Sequence, residues 1–255
     1  MTKPSDDKKI DVLGVGFDDF TAEQAVRYAF DTIGDNNKGY VVTPNPEIVW
    51  MARRDNALRA AINGAWMVLP DGIGVILGAR ILGTPLRGGR VPGIDFASAL
   101  FNEMAKSGGT VFLLGSKPGI AEEAGQKLEA IHQGLCVVGS ADGYFTDDNL
   151  IIEKINSSQP DLLLVCLGSP KQELWMADHI GQLDVKLCAG LGGSLDVFAG
   201  RAKRAPILFQ KLGLEWLFRL FREPRRIKRM VKLPLFIFAA IWKRLTGANS
   251  FQRSA

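Results

Sequence analysis

Five short clusters in this chain carry residue types suited to chemistry on anionic substrates. They are Thr43-Pro-Asn-Pro-Glu47, Pro70-Asp-Gly-Ile-Gly74, Gly115-Ser-Lys-Pro-Gly119, Gly168-Ser-Pro-Lys-Gln-Glu173 and Gly192-Gly-Ser-Leu-Asp196. Glycine lets backbone N–H groups approach a ligand closely, and helix N-termini favour negative charge, so the set fits a loop-built site for a phosphorylated ligand. Gly115-Ser116 and Gly168-Ser169 equally fit the plain strand-to-helix turns that such a fold needs. Asp71 has two readings that do not exclude each other. It can cap a helix that starts at Gly72, or, partly desolvated at the mouth of a site, accept a proton from a sugar hydroxyl.

Each cluster follows a short apolar run. Ile10–Val15, Tyr40–Thr43, Trp66–Leu69, Thr110–Leu114, Leu135–Val138, Asp161–Leu167 and Lys186–Ala189 read as buried strands rich in Val, Leu and Ile. Helical patterns separate them at Ile48–Asn63, Gly72–Leu82, Asp95–Lys106, Ile120–His132, Asp147–Asn156 and Lys171–Ile180. This alternation predicts an α/β fold built on a mostly parallel sheet. Ligands of open α/β sheets sit beyond the carboxyl ends of the strands, where the five clusters fall.

Several chemistries are disfavoured. Gly14-Val-Gly16 lacks the third glycine of a dinucleotide fingerprint, and the chain has neither a P-loop nor any Asp-x-Asp pair to hold a divalent ion on a diphosphate. His132 and His179 have no metal-spaced partner, so a zinc site has no support.

The chain has 255 residues, 47% hydrophobic and 23% charged, which fits a folded core and excludes a disordered chain. Cys136, Cys166 and Cys188, an odd number in apolar runs, predict a reducing compartment, and the polar first nine residues do not read as a signal peptide. Residues 1–9 read as a disordered tail, 10–205 as the α/β core and 206–255 as a basic appendage. From Arg201 onward fourteen Lys/Arg accompany only Glu215 and Glu223, a net of +12, whereas residues 1–200 carry −8. Such asymmetry predicts an anionic partner at the C-terminal end.

Within that tail Arg219, Arg226 and Arg229 are spaced 7 and 3, one face of a continuous helix. Pro224 kinks or restarts the helix, so Arg222 and Arg225 stand as substitutes. The run Leu233–Trp242 has ten residues, about 15 Å as a helix against a hydrocarbon core of roughly 30 Å, so it is too short to cross a bilayer. Apolar and aromatic residues flanked by Lys/Arg suit an anionic membrane surface. A helix packed on the body, or on another subunit of a homo-oligomer, is the competing reading.

Taken together, four of the clusters, Thr43–Glu47, Pro70–Gly74, Gly168–Glu173 and Gly192–Asp196, resemble the WecG/TagA/CpsF glycosyltransferase family. Arg90-Val-Pro-Gly-Ile-Asp95, Arg204-Ala-Pro206, Leu212-Gly-Leu-Glu-Trp-Leu217 and Arg222-Glu-Pro-Arg225 extend the likeness from about Ile10 to about Arg244. The resemblance implies one Rossmann-like domain with a C-terminal appendage. It implies an inverting, metal-independent transfer of a sugar from a UDP-sugar to a polyprenyl-diphosphate-linked sugar at the inner face of the cell membrane, with no cofactor. The sugar would be N-acetylmannosamine, its uronic acid or glucose. Asp71 would be the general base, with Thr43 and Asn45 in the same pocket. Arg90 and Gln172 would orient donor or acceptor, and Arg219, Arg226 and Arg229 would close over the donor diphosphate. Gly115, Ser116, Gly168 and Glu173 complete the expected binding set. Two other classes compete. One is a nucleic-acid-binding module, which would not need polar residues at separate strand ends; the other is a noncatalytic scaffold of a polysaccharide assembly complex.

Overall fold

The computed structural model describes residues 9–35, 38–222 and 231–247. Six strands form one parallel sheet: β3 (Gly39–Val42), β4 (Met67–Val68), β5 (Thr110–Gly115), β6 (Cys136–Ala141), β7 (Leu162–Cys166) and β8 (Leu187–Gly190), in the order β4-β3-β8-β7-β5-β6. Successive side chains point to opposite faces and both faces are covered, so the inner strands are apolar throughout. Tyr40 and Val42, Phe112 and Leu114, and Leu163 and Val165 enter one core; Val41, Val111, Leu113, Leu162 and Leu164 enter the other. This is the α/β architecture on a parallel sheet that the alternation predicts, and the Rossmann-like sheet that the resemblance implies.

Three local expectations are corrected. The run Ile10–Val15 is not one strand but the start of a hairpin, β1 (Ile10–Val12) and β2 (Val15–Phe17), outside the main sheet. Gly14 at φ +95° makes the turn, and the Asp11 carboxylate accepts its N–H at 3.0 Å. The single helix expected over Ile48–Asn63 is two, α2 (Pro46–Ala52) and α3 (Asn56–Asn63), because Asp55 caps a new start by accepting from Leu58 N. Helix α1 (Ala22–Gly34) was not expected, although Thr21 and Gln24 form a capping box at its start.

Helices α2, α3, α4 (Ile73–Leu82), α7 (Asp148–Ser158) and α8 (Lys171–His179) cover one face of the sheet. Helices α1, α5 (Gly93–Lys106), α6 (Ile120–Ile131) and α9 (Ser194–Phe198) cover the other. The C-terminal segment adds α10 (Ile207–Lys211), α11 (Glu215–Arg222) and α12 (Lys232–Thr246).

Helix α12 lies against α4 because α4 presents Gly74 and Gly78, four residues apart and so on one face. A Cβ at Gly74 would fall 2.8 Å from Leu233 Cδ1, and one at Gly78 would fall 2.7 Å from the Phe236 ring. Phe236 is fully buried, while Leu235, Phe238, Ile241, Trp242 and Leu245 on the same helix are exposed. Ion pairs Lys232–Glu47 (3.0 Å) and Lys243–Asp11 (2.6 Å) fasten the helix near its two ends. The tail segment is therefore both packed on the body and apolar on its outward side. Among the described residues, no helix is long and apolar enough to cross a membrane.

Candidate active site

A cleft of about 200 Å³ opens beyond the ends of β3, β4 and β8. It gathers Thr43, Asn45, Asp71 and Arg90, four residues that the sequence places 47 positions apart from first to last. Strand β4 is brief, since Pro70 has no N–H to continue a ladder. Gly72 then takes φ +93°, a left-handed conformation that favours glycine, and serves as the N-cap of α4. The cap position thus falls on Gly72 and not on Asp71, which is left half-buried at the cleft wall. The turn is stitched on both sides, by Asp71 N to Pro44 O (3.3 Å) and Val91 N to Pro70 O (2.9 Å).

Thr43 is buried, and its hydroxyl donates to Gly190 O at a long 3.5 Å. Asn45 is the N-cap of α2 and accepts from Ile48 N at 3.1 Å, so its orientation is fixed by the helix it starts. Arg90 donates from Nη1 to Glu215 Oε2 at 2.8 Å and from Nη2 to Gln210 O at 2.9 Å. The tail also supplies cleft wall: Gly213, Glu215, Trp216 and Leu233 line it. None of these four was expected as a site residue. The signal was present in Leu212-Gly-Leu-Glu-Trp-Leu217, but nothing local indicates that this segment returns to the mouth of β3 and β4.

Of the other expected residues, Gly115, Ser116, Gly168, Gln172 and Glu173 are not among those that line the cleft. At the end of β5, Gly115 has φ +133°, and a Cβ there would fall 2.3 Å from Cys166 O on β7. Ser116 follows at φ +62°, a strained value for a non-glycine residue, with its hydroxyl donating to Asp196 Oδ2 at 3.0 Å. Gly115→Ala is expected to cost at least about 2 kcal/mol, because a left-handed residue would gain a Cβ against fixed backbone. Urea denaturation measures this as a lower midpoint. Gly168 has φ +77° and open space around it.

Gln172 and Glu173 are buried. Gln172 accepts from Gly192 N at 2.9 Å and donates to Glu173 Oε1 at 3.0 Å. It holds the β8–α9 loop, whose Gly193 and Ser194 do line the cleft. Burial pushes the Glu173 carboxyl above the usual carboxylate range. Arg219 lies on α11. Arg226 and Arg229 lie outside the described residues, as does Arg225.

His132 is buried and bonded to Asn102 Oδ1 at 2.7 Å, and the Cys166 thiol is pushed up to about 12 by burial, so neither is presented for chemistry. The carboxylate, hydroxyl, carboxamide and guanidinium of the cleft can together bind a polyol, take a proton from it and meet an anionic group.

Comparison with known proteins agrees with this chemistry. Residues 10–250 match the family described as "Glycosyl transferase WecG/TagA/CpsF family". The chain is 35% identical over 208 residues to the N-acetylglucosaminyldiphosphoundecaprenol N-acetyl-beta-D-mannosaminyltransferase of Bacillus spizizenii, covering 81% of this chain and 80% of that one. It is 35% identical over 236 residues to the enzyme of that same name from Staphylococcus aureus, covering 92% of each. A match along nearly the whole chain, with a cleft that joins a carboxylate to polar and cationic side chains, makes this protein a glycosyltransferase of the WecG/TagA/CpsF family.

Proposed function

We propose that the enzyme transfers an N-acetylmannosaminyl group from a UDP-sugar to an N-acetylglucosaminyl-diphosphate-polyprenol, with inversion and without a metal ion. The observation that carries this reading is the meeting of Asp71, Thr43, Asn45 and Arg90 in one cleft, in a chain 35% identical to two enzymes named for that transfer. Asp71 takes the proton from the attacking acceptor hydroxyl as its oxygen bonds to the anomeric carbon. The bond from that carbon to UDP breaks on the opposite side, and UDP leaves as an anion. Arg90, with Arg219, Arg226 and Arg229 of the C-terminal segment, offsets the charge that builds on the departing diphosphate. Gly115, Ser116 and Gly168, at the ends of β5 and β7, are assigned to the nucleotide portion.

A panel of UDP-sugars, each incubated with a short-chain N-acetylglucosaminyl-diphospho-lipid, tests the assignment. UDP-N-acetylmannosamine is expected to be the preferred donor, with a rate unaffected by EDTA. Preference for UDP-glucose would reject the sugar, and loss of activity in EDTA with recovery in magnesium would reject the metal-free step.

The acceptor is lipid-linked in this reading, so the outward face of α12 is assigned to the inner surface of the cell membrane. Phe238 and Trp242, stacked at 6.3 Å between centroids and both exposed, form the centre of that face. Replacing both with Ser is expected to weaken binding to anionic liposomes by about tenfold or more, since each exposed aromatic contributes apolar area to the interface. Sedimentation with vesicles measures it. Transfer to a water-soluble acceptor is expected to stay within about twofold of wild type.

A further inference from the structure

Four charged residues link the cleft to the tail, and three of them, Asp95, Arg204 and Glu215, have no role in the mechanism above. Asp95 at the start of α5 receives two bonds from Arg204, at 2.5 and 2.7 Å. Arg204 Nε reaches Glu215 Oε1 at 3.4 Å, and Glu215 Oε2 receives Arg90 Nη1 at 2.8 Å. The signs alternate along the chain, and Arg90, Arg204 and Glu215 are each at most a quarter exposed. Partly exposed ion pairs contribute little to stability on their own, so geometry is the more informative consequence.

That geometry bears on Arg90. A guanidinium has five N–H donors on a long flexible stem. Here two donors are held by the tail, one by the Glu215 carboxylate and one by the Gln210 carbonyl. Three remain for a ligand, on a group whose plane is now fixed. Arg90 is also the one cation among the described residues that line the cleft. Its backbone sits next to the Asp71 turn through the bond from Val91 N to Pro70 O. Glu215 is the first residue of α11, so the same contact sets where Trp216 enters the cleft wall.

We propose that Glu215 is a positioning residue: bridging Arg90 and Arg204, it orients the Arg90 guanidinium toward the diphosphate and docks α11 over the cleft. This rests on the functional reading above, in which Arg90 meets the diphosphate. Removing the Glu215 carboxylate leaves Arg90 charged but unoriented. Attraction for the anionic donor is kept, while alignment with the charge that develops on the leaving group is lost.

A double-mutant cycle on the full-length protein tests this. Glu215→Ala is expected to lower kcat about tenfold with no rise in KM for the UDP-sugar. Glu215→Gln, which keeps the acceptor oxygen, is expected to recover at least half of that loss on a logarithmic scale. Arg90→Ala is expected to lower kcat and raise KM, and the double variant is expected to match Arg90→Ala in kcat within about twofold. Amide hydrogen exchange across residues 207–222 is expected to quicken in Glu215→Ala and Arg90→Ala alike.

Losses in kcat that multiply in the double variant, or a Glu215→Ala effect confined to KM, would overturn the positioning role. Unchanged exchange in Glu215→Ala would overturn the docking role. The exchange measurement needs no turnover. A wild-type chain that transfers no sugar, with exchange still responding to Glu215→Ala, would therefore reject the functional reading and leave the docking intact.

Discussion

Asp71→Asn is expected to lower turnover by at least about tenfold, and by 10²–10⁴ if proton removal is fully rate-determining. The amide is nearly isosteric with the carboxylate but cannot take up the acceptor's proton. The surrounding turn should survive, because two backbone bonds stitch it, Asp71 N to Pro44 O and Val91 N to Pro70 O. Gly72, and not Asp71, occupies the cap position of α4, so helix capping gives no separate reason for a large effect. UDP affinity is expected to stay within about threefold, since a general base acts on the acceptor and not on the nucleotide. Steady-state kinetics with calorimetric UDP titration separate the two quantities. Unchanged turnover would remove Asp71 from the role of base and with it the proposed mechanism.

Phe236→Ala is expected to destabilise the protein by about 3–5 kcal/mol, the usual cost of emptying a fully buried aromatic site. For a chain of this size each kcal/mol corresponds to a shift in Tm of about 2–4 °C, so calorimetry should read a fall on the order of 10 °C. The ring fills the notch over Gly78, and α12 has no comparable buried anchor among its described side chains. Gly78→Ala alone is expected to destabilise as well, because its Cβ would lie 2.7 Å from that ring. Combined with Phe236→Ala, the added methyl enters vacated space, so the two losses should sum to less than their total. Strict additivity would mean that Phe236 does not occupy the α4 notch. Leu233, on the same helix, forms part of the cleft wall, so Phe236→Ala is expected to slow transfer even well below its Tm.

Much of the fold is legible in the chain because buried parallel strands leave a strong mark. Thr110–Leu114, Asp161–Leu167 and Lys186–Ala189 are apolar at consecutive positions, as strands covered on both faces require, and each is a strand within a residue or two of its expected limits. Helix α1 was legible too, since Thr21 and Gln24 cap it and Ala25, Val26, Ala29 and Ile33 recur at helical spacing, but that stretch was given no element. The break between α2 and α3 was also missed. Both helices carry apolar residues at helical spacing, and the charged Arg53-Arg54 step with the Asp55 cap marks the restart between them.

That Asp71, Thr43 and Asn45 share one cleft was legible because each follows a strand, and the ends of neighbouring parallel strands meet by construction. Gln172 and Glu173 follow a strand too, yet are buried: the side of α8 on which they lie turns inward toward β8, where Gly190 leaves room for Gln172. That distinction depends on the rotation of one helix, which no local pattern records.

The primary structure alone determined the α/β class, the strand ends as the place where the polar clusters gather, and a carboxylate followed by a glycine on one of those turns. These follow from short-range rules, since burial on both faces, glycine conformations and strand polarity are written into neighbouring residues. The packed chain alone decided which C-terminal residues meet the body and where, with Glu215 on Arg90, Gly213 and Trp216 in the cleft wall and Phe236 in the Gly78 notch. Contacts between residues more than a hundred positions apart depend on complementary shape and charge between two surfaces, and each surface exists only once its own part of the chain has folded.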